Sequence, residues 1–207
     1  MMDTDGYIST VKYLDGLFTF FNEKLFHSEL PKPVITVQFD GRSNRSGWCT
    51  KSKVWKGDGG EAYEINLSAQ NLNKPIAETA ADLLHETCHY FARLRNYKDL
   101  NANGRYHNKL FKRICETHGL NAEEEGGKGY AKTSLTLDSG HLLKEYTDKN
   151  PPEFIYRIAE KKGLPVRINN VRKYFCPVCG SKVKATRSVN IICADCNELM
   201  IEEITEQ

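Results

Sequence analysis

Hydrophobic positions along residues 11–30 recur at helical spacing, with Leu14, Leu17, Phe18, Phe21 and Leu25 on one face. This predicts a core-facing amphipathic helix that Pro31-Lys32-Pro33 brings to a stop. The pattern then shortens to that of strands. Val34 to Phe39 is apolar and β-branched, a second strand is expected between Gly47 and Trp55, and a third falls at Ala62 to Ser68. In the third, Tyr63, Ile65 and Leu67 alternate with Glu64 and Asn66, and Lys56 to Gly60 supplies turn residues before it. The first third therefore reads as a helix followed by a small meander. From Pro75 to Asn96 the helical period returns without a breaker, and a further helix over residues 105–119 ends at Gly119. Periodicity is lost over residues 121–140, which marks a linker or a long loop, and residues 151–163 predict one more short helix. No internal repeat or low-complexity tract interrupts this order.

The chain has 207 residues, 40% hydrophobic and 27% charged, which is ordinary for a folded globular protein. The N-terminus opens on acidic residues without the basic start and apolar run of a secretory signal, and nothing approaches the run of about 18 apolar residues a membrane span requires. These features imply an intracellular, cytoplasmic protein. Seven cysteines, four of them in two Cys-x-x-Cys pairs, suit a reducing compartment and metal binding better than disulfides.

The predicted helix from Pro75 contains His85-Glu86-Thr87-Cys88-His89. Histidines four apart on a helix stand about one turn from each other, so both imidazoles can face one metal ion. The intervening glutamate lies off that line but within reach of a metal-bound water, whose proton it can take. A helix with two merely polar histidines would need neither the glutamate nor a third ligand. A catalytic zinc needs that third ligand and an open position. Ala92 and Arg95 rule out the metzincin extension of the motif, which has glycine and histidine there. His107, His118, Glu116, His141 and Cys88 are the remaining candidates, with His107 and Glu116 expected on the following helix. Cys88 reads most simply as a small core residue.

The helix with "LFTFFNEKLFHSELP", the Gly47-Trp48 stretch, "INLS", "LLHETCHYF", and then His107 with Phe111 four residues on, together resemble the SprT-like family of zinc-dependent proteases. That family includes DNA–protein crosslink proteases. The resemblance covers residues 8–120 and departs from the family pattern at Asn108, where glycine is usual. It implies His85, His89 and His107 as the ligands of a catalytic zinc and Glu86 as general base. It also implies a zincin-like α+β metalloprotease domain with a small antiparallel sheet, over residues 8–122, and an edge strand along its cleft able to pair with an extended peptide, for which residues 62–68 are the candidate.

Cys176, Cys179, Cys193 and Cys196 form two knuckles, with Gly180 and Asn197 where a left-handed backbone is often needed. Four thiolates saturate tetrahedral zinc, so this second site would be structural, within a C-terminal zinc ribbon over residues 173–204. So small a ribbon should depend on its metal to fold. A rubredoxin-like iron site uses the same pairs, but no redox partner motif accompanies them. Residues 123–172 are expected to be a linker carrying a short helix and a basic segment.

The net charge of +2 hides a block from Lys161 to Asn190 that holds basic residues and no acid, followed by a purely acidic tail. Arg172, Lys173, Lys182, Lys184 and Arg187, interleaved with Tyr174 and Phe175, suit contact with nucleic acid, single-stranded DNA by preference. Lys161, Lys162 and Arg167 belong to the same block. The expected activity is hydrolysis of protein substrates, including DNA-associated or DNA-crosslinked ones, by glutamate-activated, zinc-bound water. The alternative is a non-catalytic, zinc-stabilised nucleic-acid-binding or adaptor protein.

Overall fold

The computed structural model describes residues 4–39, 45–101, 104–158 and 171–203. The chain divides into two compact units, Met1–Ala159 and Glu160–Gln207. In the first, α1 (Thr4–Phe26) buries Leu14, Leu17, Phe18 and Phe21. It ends before the prolines, because His27 and Ser28 take left-handed φ values of 54° and 60°. The Asn22 side chain then holds the turn, donating to the Leu30 carbonyl at 2.9 Å and accepting from the Leu30 amide at 3.1 Å.

Three strands form the main sheet: β1 (Val34–Gln38), β2 (Gly47–Cys49) and, after the separate hairpin of β3 (Trp55–Gly57) and β4 (Gly60–Ala62), β5 (Glu64–Ser68). Their order is β1-β5-β2, with β1 parallel and β2 antiparallel to β5. The sheet is thus mixed rather than an antiparallel meander. The expected strand between Gly47 and Trp55 is split between β2 and β3. The segment predicted as an edge strand is the central one. Its alternating pattern is misleading because all five residues of β5 are buried. The polar members are tolerated inside because each has a partner. Asn66 accepts from the Thr36 hydroxyl and the Gln38 amide, both at 2.8 Å, and Glu64 accepts from Trp55 Nε1 at 2.7 Å.

Against this sheet lies α2 (Ile76–Leu94), whose Leu83, Leu84 and Cys88 share one core with α1, Ile65 and Leu67. The chain then makes the two-residue strands β6 (Leu100–Asn101) and β7 (Tyr106–His107), and α3 (Lys109–Thr117). His107 therefore precedes the helix on which it was expected. Gly119 closes this region at φ 86°.

Where fading periodicity predicts a linker or loop, β8 (Leu120–Glu123) and β9 (Lys132–Leu135) pair as an antiparallel hairpin, and α4 (Leu137–Lys149) follows. Strands of four residues are too short to display a period. β8 buries Leu120 and Ala122, and α4 buries Leu143. Tyr146 of α4 meets the Tyr13 ring edge-on at 5.4 Å. Residues 151–158, predicted to start a helix, contain none. Two prolines lower the helical preference, and backbone donors bond elsewhere: Ile155 N–H to Thr10 Oγ1 at 3.1 Å, Arg157 N–H to the Ala69 carbonyl at 2.8 Å. The rest of that predicted helix lies outside the described residues.

In the second unit, β10 (Arg172–Phe175) and β11 (Lys182–Ala185) are antiparallel. β12 (Ile192–Cys193) pairs with β13 (Glu198–Leu199), and β14 (Ile201–Glu202) returns beside β10. Its small core is Tyr174, Cys176, Cys193 and Met200. Among the described residues, no helix is long and apolar enough to cross a membrane.

Candidate metal centre

His85 and His89 project from successive turns of α2, and β7 brings His107 to them. The three ring centroids are 4.9, 5.1 and 5.1 Å apart. Phe111, fully buried on α3, packs against all three rings at 4.3 to 4.9 Å and gives them a common floor. One nitrogen of each histidine lies within 4.8 Å of the others, and His89 Nε2 and His107 Nε2 are 3.2 Å apart. Such crowding favours the neutral imidazoles that bind metal. Burial, then His89 and His107, drives His85 well below the ordinary histidine range. Burial and then His89 lower His107 to about 4, against the opposing pull of the Lys128 carbonyl.

Each histidine is held by its other nitrogen. His89 Nδ1 meets the buried Asp99 carboxylate at 2.5 Å, His85 Nδ1 meets Thr133 Oγ1 at 3.1 Å, and His107 Nδ1 donates to the Lys128 carbonyl at 3.2 Å. With Nδ1 engaged in all three, Nε2 is the nitrogen left to converge, the usual way a protein orients imidazole ligands. Three nitrogen donors fit zinc and leave a fourth position open.

These supports come from unexpected places. Asn108, at the family's glycine position, caps α3 by accepting from the Leu110 and Phe111 amides at 2.9 and 3.1 Å. Its amide group donates to the Lys98 carbonyl at 2.6 Å, and its backbone N–H donates to the Asp99 carbonyl at 3.1 Å. The departure thus ties the turn carrying Asp99 to the helix that follows His107. On the other side, Tyr130 N–H donates to the His107 carbonyl at 3.0 Å. Gly129, at φ 67°, passes so close to that carbonyl that a Cβ would collide with it. Sequence reasoning missed Asp99, Thr133 and the Lys128 carbonyl. The segment around Lys128 read only as a linker or loop, and nothing local announced what it holds.

Glu86 is buried beside the histidines and lines the same cavity of about 710 Å³. Burial raises its carboxyl pKa, partly offset by His89 and Arg45. Gly47 of β2 lets the sheet approach: a Cβ there would stand 2.6 Å from the Asn66 carbonyl oxygen and 3.2 Å from Glu86 Cγ. Glu125, Lys128, Ala131, Lys132 and Thr133 form another wall, so the segment expected to be a linker helps enclose the cavity.

The other candidate ligands are engaged elsewhere. Glu116 pairs with Lys112 at 2.7 Å, and His118 stacks on Phe26 at 4.2 Å while its Nδ1 donates to the Ile114 carbonyl at 2.7 Å. His141 is exposed on α4, and Cys88 is fully buried.

In the second unit, the sulfurs of Cys176, Cys179, Cys193 and Cys196 lie within 4.8 Å of one another, a set that also fits zinc. Gly180 and Asn197 have φ values of 74° and 53°, and the Gly180 amide donates to the Cys176 carbonyl at 2.9 Å. The neighbouring charge is less one-sided than its sequence. The acidic tail folds back, pairing Arg172 with Glu202 at 2.5 Å and Lys182 with Glu203 at 3.2 Å. Lys173 stands opposite Lys184, and Arg187 is exposed. Tyr174 is 3% exposed and donates to Glu202, so its ring is not available for stacking on a base. Lys161, Lys162 and Arg167 lie outside the described residues.

Fold and histidine cluster together define a mixed α/β unit with a candidate metal-binding site. The SprT-like family model matches residues 14–128, more than half of the chain, and the protein belongs to that family, which is generally linked to metallopeptidase-like function. The match ends at Lys128, so Thr133, α4 and the four cysteines lie beyond it. No curated protein and no solved structure matches the chain.

Proposed function

We propose that the protein is a zinc-dependent endopeptidase with a zincin-like domain, in which His85, His89 and His107 hold the catalytic zinc and Glu86 is the general base. The carrying observation is the convergence of three imidazoles, each fixed through Nδ1, beside one buried carboxylate. Bound zinc supplies Lewis-acid chemistry, activating water and polarising a peptide carbonyl. Glu86 accepts the proton of the attacking water and returns it to the leaving amine; its raised pKa suits both halves of that exchange. Asp99, Thr133 and the Lys128 carbonyl keep the imidazoles oriented, and the cavity walls limit bulk water.

A second, structural zinc belongs to the four cysteines. We assign residues 8–122 to the zincin-like domain and 173–204 to the ribbon, with the intervening segment supplying a wall of the site. The ribbon cations, Arg172, Lys173, Lys182, Lys184 and Arg187, are the proposed contacts for single-stranded DNA, which makes proteins attached to DNA the proposed substrates. The proposed setting is intracellular and cytoplasmic, a reducing compartment of the kind that keeps paired Cys-x-x-Cys thiolates available to zinc.

The test compares zinc-loaded wild type with Glu86→Gln on a free protein and on the same protein crosslinked to single-stranded DNA. The substitution should lower cleavage of both by about 100-fold or more. Equal rates would leave the non-catalytic adaptor as the better reading.

A further inference from the structure

Position 93 continues the line of the ligands: His85, His89 and Arg93 follow at intervals of four on α2, so their side chains share one helix face. Arg93 lines the cavity with the three histidines and Glu86. One Nη2–H donates to the Cys49 carbonyl of β2 at 3.3 Å. Its Nε–H, by contrast, is buried without an acceptor, the one such side-chain group among the described residues that line this cavity. A buried donor left unpaired is costly, and a guanidinium satisfies its fork best with a carboxylate. The protein's own acids along the cavity are committed elsewhere: Asp82 to Lys74, Glu125 to Lys128 at 2.7 Å. Glu86 faces the histidines and serves the chemistry. The cationic side of the cleft is reinforced by Lys51, which is exposed on its rim.

We propose that Arg93 is a specificity-determining residue that receives a carboxylate of the substrate, so that the cleft selects peptides carrying an acid near the scissile bond. The inference rests on the peptidase reading. A peptide crossing the histidines toward the C-terminal end of α2 sets one group over Arg93. A glutamate or aspartate side chain, or the chain's own terminal carboxylate, supplies the charged acceptor that Nε–H lacks. A neutral amide offers only an uncharged acceptor, and an apolar group leaves Nε–H unpaired.

The experiment measures binding rather than turnover, using the full zinc-loaded chain with Glu86→Gln to prevent cleavage. The probes are fluorescent, otherwise uncharged octapeptides, capped at both ends, with a single glutamate moved through every position and a glutamine counterpart for each. An uncharged peptide with a free C-terminus forms a further arm. At one position, glutamate should bind about tenfold more tightly than glutamine, because a charge-assisted hydrogen bond is roughly twice as strong as a neutral one. A gain confined to the free C-terminus would assign the same contact to the chain end. Adding Arg93→Gln should reduce either preference to within about twofold, and Arg93→Lys should keep part of it because the charge remains. Equal binding of acidic and neutral peptides throughout, or a preference that survives Arg93→Gln, would overturn the proposal. Failure of every peptide to bind would remove the peptidase reading and this inference with it.

Discussion

The three histidines stand on a core shared by α1, α2, α3 and the β1-β5-β2 sheet, and each is braced by a partner outside the trio. Of the four cysteines, Cys176 and Cys193 are buried, in a core that otherwise holds only Tyr174 and Met200 among the described residues. One site is therefore shaped by the fold before a metal arrives, whereas the other must be shaped by its metal. Catalytic sites gain from the first arrangement, since preorganised ligands leave zinc free to change its fourth partner. A structural site gains from the second, since ligand binding and folding become one event.

The largest effect should separate the two units. Chelation, or Cys176→Ser, should abolish amide protection across β10 to β14, because a bound structural zinc contributes about 10–16 kcal/mol to such small folds. The same treatment should leave α1 and α2 protected from exchange. A ribbon that stays protected without metal, or helices that lose protection with it, would break the contrast.

Next in size is the brace on His89. Asp99→Ala should weaken zinc binding at the histidines by about 10- to 100-fold in a chelator competition, with the ribbon site unchanged. Gly129→Ala should destabilise the first unit by about 1–3 kcal/mol in urea, since it combines a positive φ of 67° with a collision at the His107 carbonyl. Gly127, with open space around it, is the control, and its alanine variant should be near neutral.

The smallest effect is that of pH on the metal-free protein. Folding depresses His85 well below 6.5 and His107 from 6.5 to about 4, so the unfolded chain binds protons first as the medium acidifies. Stability should fall as pH drops from about 6.5 toward 4 and recover on return. Glu86, raised above 4.5, opposes this because the folded state holds its proton longer, but His118 is also depressed and adds to the histidine side. Urea midpoints that rise on acidification through this window would contradict the assignment of neutral, crowded imidazoles.

What could be read from residue order divides along the same line. The cysteine cluster was legible because spacing, pairing and the punctuating Gly180 and Asn197 are all local. Helix α2 was legible for the same reason, and with it His85, Glu86 and His89. The braces were not: Thr133 lies 48 positions from His85, and Lys128 lies 21 from His107. Asp99 is only 10 residues from His89, but a carboxylate in a turn gives no sign of burial. Nor does alternation in residues 63–67 disclose that β1 and β2 close on β5 from both sides, because strand pairing is decided by distant residues.

The central claim, that a braced trio of imidazoles holds a metal, is tested most directly by zinc K-edge X-ray absorption on a variant in which Cys176, Cys179, Cys193 and Cys196 are all replaced by serine, so that no ribbon thiolate remains. The account predicts one zinc with three imidazole nitrogens at about 2.0–2.1 Å, one oxygen ligand and no sulfur. A sulfur shell, or fewer than three imidazoles, would contradict it.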